Sequence, residues 1–214
     1  MNERTNEVNA KNCLLVNKWH PITQEQIDQI KMIKIGKNED GDVLVEEKTL
    51  EAFGRLCEEM KKQGFPIGIT SAFRTFAQQE KVYEDIARSK GIKYAESHVA
   101  KPTESEHHTG MAIDVKPAAF IANIPLVNRV YPKDLLFAKL SENLSKFGFI
   151  LRYPEGKEEK TGVDHERWHI RYVGEPIAEI ISKNNITLEE FVENQDKYLL
   201  SDFNNSVCEE ESEM

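Results

Sequence analysis

One stretch, Ser105-Glu106-His107-His108-Thr109-Gly110-Met111-Ala112-Ile113-Asp114, constrains this chain more than any other. Thr109-Gly110 is a turn signal, and the residues after it alternate as in a strand. Met111, Ile113 and Val115 fall on one face, Ala112 and Asp114 on the other. The apolar face needs a core to cover it, so the Asp114 carboxylate must look the other way. Across the turn stands His107, seven residues before Asp114, and Glu166-Arg167-Trp168-His169 offers a second carboxylate and imidazole about fifty residues later. Together the two stretches read as a metal site.

The 214 residues, 39% hydrophobic and 30% charged, suffice for one globular domain with a sizeable core. We expect that domain over residues 12–196, with 1–11 and 197–214 as flexible termini. A net charge of -9 argues against nucleic acid and anionic membrane surfaces as partners, since both demand a basic footprint. No apolar run approaches the roughly 20 residues of a membrane span, and Cys13-Leu14-Leu15-Val16 is too short for a signal-peptide core. The expected location is therefore the cytoplasm. Cys13, Cys57 and Cys208 are odd in number and widely spaced, which fits reduced thiols better than disulfides. Oligomeric state, monomer or dimer, has no signature in the sequence.

Leu14 to Val16 is expected as a short strand before the Trp19-His20-Pro21 corner. Thr23 and Gln26 form a capping-box pattern, with Ile27 and Ile30 at helical spacing, whereas Ile33 to Gly36 alternates like a strand. Asn38 to Asp42 is a turn whose acidic residues lack calcium-loop spacing. Leu50, Phe53, Leu56, Cys57 and Met60 line one face of a helix that Gly64 ends. Phe65 to Thr70 reads as a strand delivering Ser71-Ala72-Phe73-Arg74 at its end, and a helix follows from Phe76 to Lys90. Residues 92–109 read as a loop lining the site, and 117–132 as a packed connector or lid. Pro132 opens a helix through Leu136, Leu140 and Phe147, ended by Gly148. Phe149 to Tyr153 and Trp168 to Val173 are strands, a helix begins after Pro176, and Thr187 with Glu190 caps a last one. Strands and helices mix without βαβ regularity, which favours α+β: a small central antiparallel sheet carrying the site, flanked by helices.

A catalytic zinc keeps three protein ligands of imidazole and carboxylate type and leaves a position for water. His107, Asp114 and His169 meet that count. Glu166 is placed to act as base. Positions three apart on a regular strand face opposite sides, so Glu166 must sit on the loop just before the strand to reach the same centre as His169. Arg74, fixed at a strand end, could stabilise an oxyanion. A lone His-Asp pair at this spacing is more often structural; the addition of Glu166 and His169 brings the metal reading level with the structural one. His108 and His165 are expected as solvent-facing or supporting neighbours of the ligands, His98 as a loop residue, and Glu104 and Glu106 as solvated.

These residues resemble the VanY-type D-alanyl-D-alanine carboxypeptidases, within a wider group that includes lysostaphin-like and hedgehog-like zinc folds. The pattern Ser-x-His-x-x-Gly-x-Ala-x-Asp is met by Ser105, His107, Gly110, Ala112 and Asp114. Glu-x-Trp-His with Arg-Tyr-Val-Gly is met by Glu166, Trp168, His169 and Arg171 to Gly174. The upstream Ser-Gly-Tyr-Arg and Gln appear as Ser71-Ala72-Phe73-Arg74 and Gln79, and Arg167 stands where proline is common. The similarity runs from about Leu14 to Thr187.

The resemblance implies one zinc ion on His107, Asp114 and His169, Glu166 as catalytic base, and Arg74 stabilising the tetrahedral intermediate. It also implies that Ser105 and Gln79 hold the substrate and that Trp168 shapes the pocket. The substrate would be a peptidoglycan stem or precursor ending in D-Ala-D-Ala. A dipeptidase must neutralise a free ammonium, and Ser71 stands where a carboxylate would serve, which leans towards a carboxypeptidase. A bifunctional VanXY-type enzyme linked to glycopeptide resistance and an L,D-carboxypeptidase are the alternatives within the group. A catalytically silent zinc domain that binds a partner or wall fragment is the alternative outside it.

Overall fold

A computed structural model describes residues 13–38, 41–118, 120–121, 124–125 and 133–200. The expected strand at Leu14 to Val16 does not form: the one pairing there is an isolated Asn17–His20 bridge. Asn17 Oδ1 accepts from the N–H groups of both Trp19 and His20, so a local side-chain turn replaces a ladder. Helix α1 (Gln24–Asp28) begins on the Thr23/Gln26 capping box and ends after five residues. The alternating residues beyond it form β1 (Met32–Asn38), which pairs antiparallel with β2 (Gly41–Glu46). Asn38 pairs with Gly41 at the end of this ladder, and residues 39 and 40 of the expected acidic turn lie outside the described residues.

Helix α2 (Glu47–Lys62) starts on the Glu46 side chain, which accepts from the N–H groups of Lys48 and Thr49, and buries Phe53, Leu56 and Met60. Strand β3 (Ile67–Ser71) follows, then α3 (Phe76–Lys90) on a Thr75/Gln78 capping box. Residues 92–109 are not a plain loop. They hold α4 (Ile92–His98) and a 3₁₀ turn at Glu106–Thr109. Ala95 is the one buried residue of α4, too little apolar periodicity for the sequence to announce a helix.

Strand β4 (Ala112–Pro117) leads into the two-residue pair β5 (Phe120–Ile121) and β6 (Ile124–Pro125). The rest of the expected connector, with Pro132, lies outside the described residues. Helix α5 (Lys133–Asn143) runs into a 3₁₀ turn closed by Gly148 at φ 79, where a Cβ would lie 2.7 Å from the Tyr172 ring. Then come β7 (Phe149–Tyr153), a short α6 (Glu158–Thr161), β8 (Glu166–Tyr172), α7 (Glu175–Asn184) and α8 (Leu188–Glu193), the last on the Thr187/Glu190 box. Residues 195–200 are helical and Tyr198 stacks on Phe191, so ordered packing extends past residue 196.

The central sheet is antiparallel with strand order β3-β4-β8-β7, and the architecture is α+β, as the sequence implies. Alternation gives it two unlike faces. Ile113, Val115, Phe149 and Ile170 join Leu56, Met60, Leu136 and Leu140 of α2 and α5 in the main core. The opposite face carries Asp114, His169, Arg152 and Arg171. Burial of the first face fixes the register, and the register aligns the polar residues of the second.

Candidate metal centre

Asp114 on β4 is the direct cross-strand partner of His169 on β8, and Asp114 Oδ1 lies 3.0 Å from His169 Nδ1. His107 comes from the 3₁₀ turn, where the Ser105 hydroxyl accepts from the His107 N–H. Gly110 ends that turn at φ 64. A Cβ there would lie 2.6 Å from Met32 Sδ and 3.0 Å from the Glu46 backbone nitrogen, so conformation and space both demand glycine. The turn brings His107 Nε2 to 3.3 Å from Asp114 Oδ2, and ligand atoms of His107, Asp114 and His169 lie within 4.8 Å of one another.

The donor set suits a cation. His107 Nδ1 lies 2.6 Å from the Ala72 carbonyl, which only accepts, so the proton sits on Nδ1 and Nε2 presents a lone pair to the Asp114 carboxylate. Burial and the nearby Arg74 push His107 down to about 4 against the opposing pull of Asp114, so the ring is neutral. A lone pair and a carboxylate facing each other in a buried site repel, and a metal ion between them resolves the conflict. Burial alone would raise Asp114, but His107 and His169 hold it well below the usual carboxylate range. His169 goes the other way. Burial opposes its charge, yet its contacts with Asp114 and Glu106 push it up to about 9.

Arg74 is locked on three sides. Nε donates to Ser71 Oγ at 2.8 Å, Nη1 to Gln79 Oε1 at 2.9 Å and Nη2 to Asp114 Oδ2 at 2.9 Å. Its carbonyl accepts from His108 Nδ1 at 2.7 Å, while His108 Nε2 accepts from the Thr103 N–H at 3.2 Å. His108 is thus no solvent-facing residue but a buried strut between Arg74 and the loop before the turn. Gln79, buried in α3, also donates from Nε2 to the Ala100 carbonyl at 2.7 Å.

Glu166 does not sit on a loop, as a regular strand would require. It is the first residue of β8 and pairs with Tyr153, while Leu151 pairs with Ile170. The register shift between those pairs puts extra β8 residues opposite β7, and this bulge turns Glu166 towards His169, with Glu166 Oε2 3.8 Å from His169 Nδ1. Burial pushes the Glu166 carboxyl up to about 7, with Asp114 adding to the rise and His169 and Arg74 opposing it. Trp168 is exposed at 42%. His165 Nδ1 meets the Tyr153 carbonyl at 2.7 Å, and His98 closes α4 within 3.4 Å of Asp164.

Glu106 corrects the sequence reading outright. Far from solvated, it is buried, and its Oε1 accepts from Arg152 Nε and Arg171 Nη1, each at 2.7 Å. Burial alone would raise it, but the two guanidiniums hold it well below the usual range. Arg152 in turn is forked by Glu189. Local pattern carries no signal for these partners, which are 37 to 65 residues apart; an arginine on an otherwise apolar strand face is the sole hint.

An α+β domain with a His-Asp-His cluster on a four-stranded antiparallel sheet, beside a buried glutamate and a fixed arginine, has the makings of a metallopeptidase. The model of the family described as VanY, D-alanyl-D-alanine carboxypeptidase, matches residues 42–175, and the chain belongs to that family. It is 33% identical over 149 residues to YodJ of Bacillus subtilis (strain 168), spanning 70% of this chain and 54% of that protein. It is 32% identical over 180 residues to VanXYC of Enterococcus gallinarum, described as a bifunctional D-Ala-D-Ala dipeptidase and D-Ala-D-Ala carboxypeptidase, spanning 83% of this chain and 91% of that one. Among solved structures, a vancomycin-resistance D,D-pentapeptidase VanY in complex with Zn(II) superposes with a TM-score of 0.71 at 27% identity, over 85% of this chain and 99% of that chain. Among the described residues, no helix is long and apolar enough to cross a membrane.

Proposed function

We propose that this protein is a zinc-dependent carboxypeptidase that hydrolyses the terminal D-Ala-D-Ala bond of peptidoglycan stem peptides or their precursors. The observation that carries this reading is the sharing of Asp114: one oxygen meets His169, the other meets His107 and Arg74, and Glu166 stands beside His169. A structural metal needs neither the glutamate nor the arginine.

His107 Nε2, Asp114 and His169 Nδ1 would hold the zinc. When bound, zinc supplies Lewis acidity, lowering the pKa of a water and polarising a carbonyl. Glu166 takes the proton of the attacking water and returns it to the departing D-alanine amine, a role its burial suits. Arg74 has N–H groups beyond the three used by Ser71, Gln79 and Asp114, and directs them at the oxyanion. Ser105 accepts from the His107 N–H and so keeps its own hydroxyl proton to offer to substrate. Ser71 and Gln79 act on substrate chiefly by aiming Arg74, and the exposed Trp168 borders the site.

The test is release of D-alanine from Ac-Lys-D-Ala-D-Ala by zinc-loaded protein, with and without chelator. Stoichiometric zinc with no D-alanine released from any D,D- or L,D-substrate would leave a silent zinc domain instead. The likeness to VanXYC over nearly all of that protein supports a second reading, a bifunctional dipeptidase and carboxypeptidase. A panel of free dipeptide, pentapeptide and tetrapeptide separates it from a strict D,D-carboxypeptidase and from an L,D-enzyme. Cell fractionation tests the cytoplasmic location.

A further inference from the structure

We propose that Glu106 is a positioning residue for the metal centre: it holds His169 with Nε2–H directed at its own carboxylate, so that Nδ1 is the nitrogen left to bind the metal. This rests on reading His107, Asp114 and His169 as zinc ligands.

The two carboxylate oxygens of Glu106 do different things. Oε1 takes both arginines. Oε2 takes neither. Among the described residues, Glu106 Oε2 and His169 Nε2 are the two buried side-chain polar atoms without a hydrogen-bond partner, and they lie 3.6 Å apart. One is an acceptor and the other a potential donor, and each is what the other lacks. An ionised carboxylate can only accept, so the nitrogen facing it must carry the proton. Nδ1 is then the nitrogen free to give up its proton for a metal, and it faces Asp114 3.0 Å away, on the side where Glu166 stands at 3.8 Å.

The surroundings keep Glu106 in that role. Arg152 is gripped at its far end by Glu189, and Arg171 donates to the Leu14 and Tyr172 carbonyls at 2.8 and 3.1 Å. Two carboxylates and two guanidiniums cancel in charge, so the buried quartet holds Glu106 ionised and immobile without loading His169 with excess negative charge. A carboxylate behind a metal-binding imidazole fixes its tautomer and orientation and raises its basicity as a ligand.

Glu189 supplies the control. It belongs to the same ion network but contacts Arg152 and Asn17 rather than His169. Zinc affinity, measured by competition with a chromophoric chelator, should fall about 10- to 100-fold in Glu106→Gln. It should fall far less in Glu189→Gln, where both arginines still pair Glu106, although both variants lose thermal stability. Equal weakening in the two, or none in Glu106→Gln, overturns the proposal and leaves the zinc reading standing. Failure of the wild-type chain to bind one zinc overturns both. Should Glu106→Gln not fold, long-range proton–nitrogen correlation on the zinc-loaded, nitrogen-15 histidine-labelled wild type decides. It should show His169 metallated at Nδ1 and protonated at Nε2; metallation at Nε2 overturns the proposal.

Discussion

Glu166 Oε2 lies 3.8 Å from His169 Nδ1, although residues three apart on a regular strand face opposite ways. The bulge of β8 against Leu151 and Tyr153 makes the approach possible. It brings a buried glutamate up to the His107–Asp114–His169 cluster, the three residues that could hold a metal ion, without placing it among them.

Glu166→Gln should therefore retain zinc and lose turnover. The amide matches the carboxylate in shape but cannot take a proton, so the expected loss in kcat is about 10²- to 10⁴-fold. Metal analysis alongside a D-alanine release assay checks both halves, and loss of zinc from this variant would remove Glu166 from the role of base.

Gln79 governs where Arg74 points. Its amide oxygen holds Nη1 at 2.9 Å while its nitrogen is tied to Ala100 at 2.7 Å. Gln79→Ala should lower kcat/KM by about 100-fold through misplacement of the guanidinium. The stability cost, read from the urea midpoint, should be only about 1–3 kcal/mol. Unchanged kinetics in a folded variant would free Arg74 from dependence on Gln79.

Removing Arg152 tests the buried quartet. Its side chain is fully buried between Glu106 and Glu189, so Arg152→Met leaves Glu106 to Arg171 and strips Glu189 of the cation that forks it, with Asn17 still donating to it. The expected destabilisation is about 3–5 kcal/mol by urea unfolding. A cost below about 1 kcal/mol, typical of exposed pairs, would mean that the network is wet.

Zinc and protons should compete at His169. In the metal-free protein this imidazole is pushed up to about 9, so near neutrality it is protonated and must release that proton to become a ligand. His107, pushed down to about 4, is already neutral and adds nothing above that pH. Zinc affinity should thus rise with pH, about tenfold per unit for one proton released, and level off above about pH 9. Chelator competition across pH 6–9 measures the slope; a flat profile would contradict a protonated metal-free His169.

Much of the scaffold was legible because its signals are local. Helical spacing in Leu50 to Met60, the Thr23/Gln26 and Thr187/Glu190 boxes, and the alternation leading to Asp114 each involve residues within a few positions of one another. Leu14 to Val16 and residues 92–98 misled or stayed silent because their conformations hang on Asn17 turning the chain and on a single buried Ala95.

The sequence by itself determined which residue types were available for metal chemistry and which strand and turn would carry His107 and Asp114, since turn chemistry and a two-residue period suffice for that. Only the tertiary structure decided what surrounds them. Sheet register set Asp114 against His169, the β8 bulge swung Glu166 inward, and packing over long sequence separations enclosed Glu106 with Arg152, Arg171 and Glu189. A buried charge paired with a distant partner looks, in sequence, the same as a solvated one; desolvation distinguishes them, and desolvation exists only once the chain has folded.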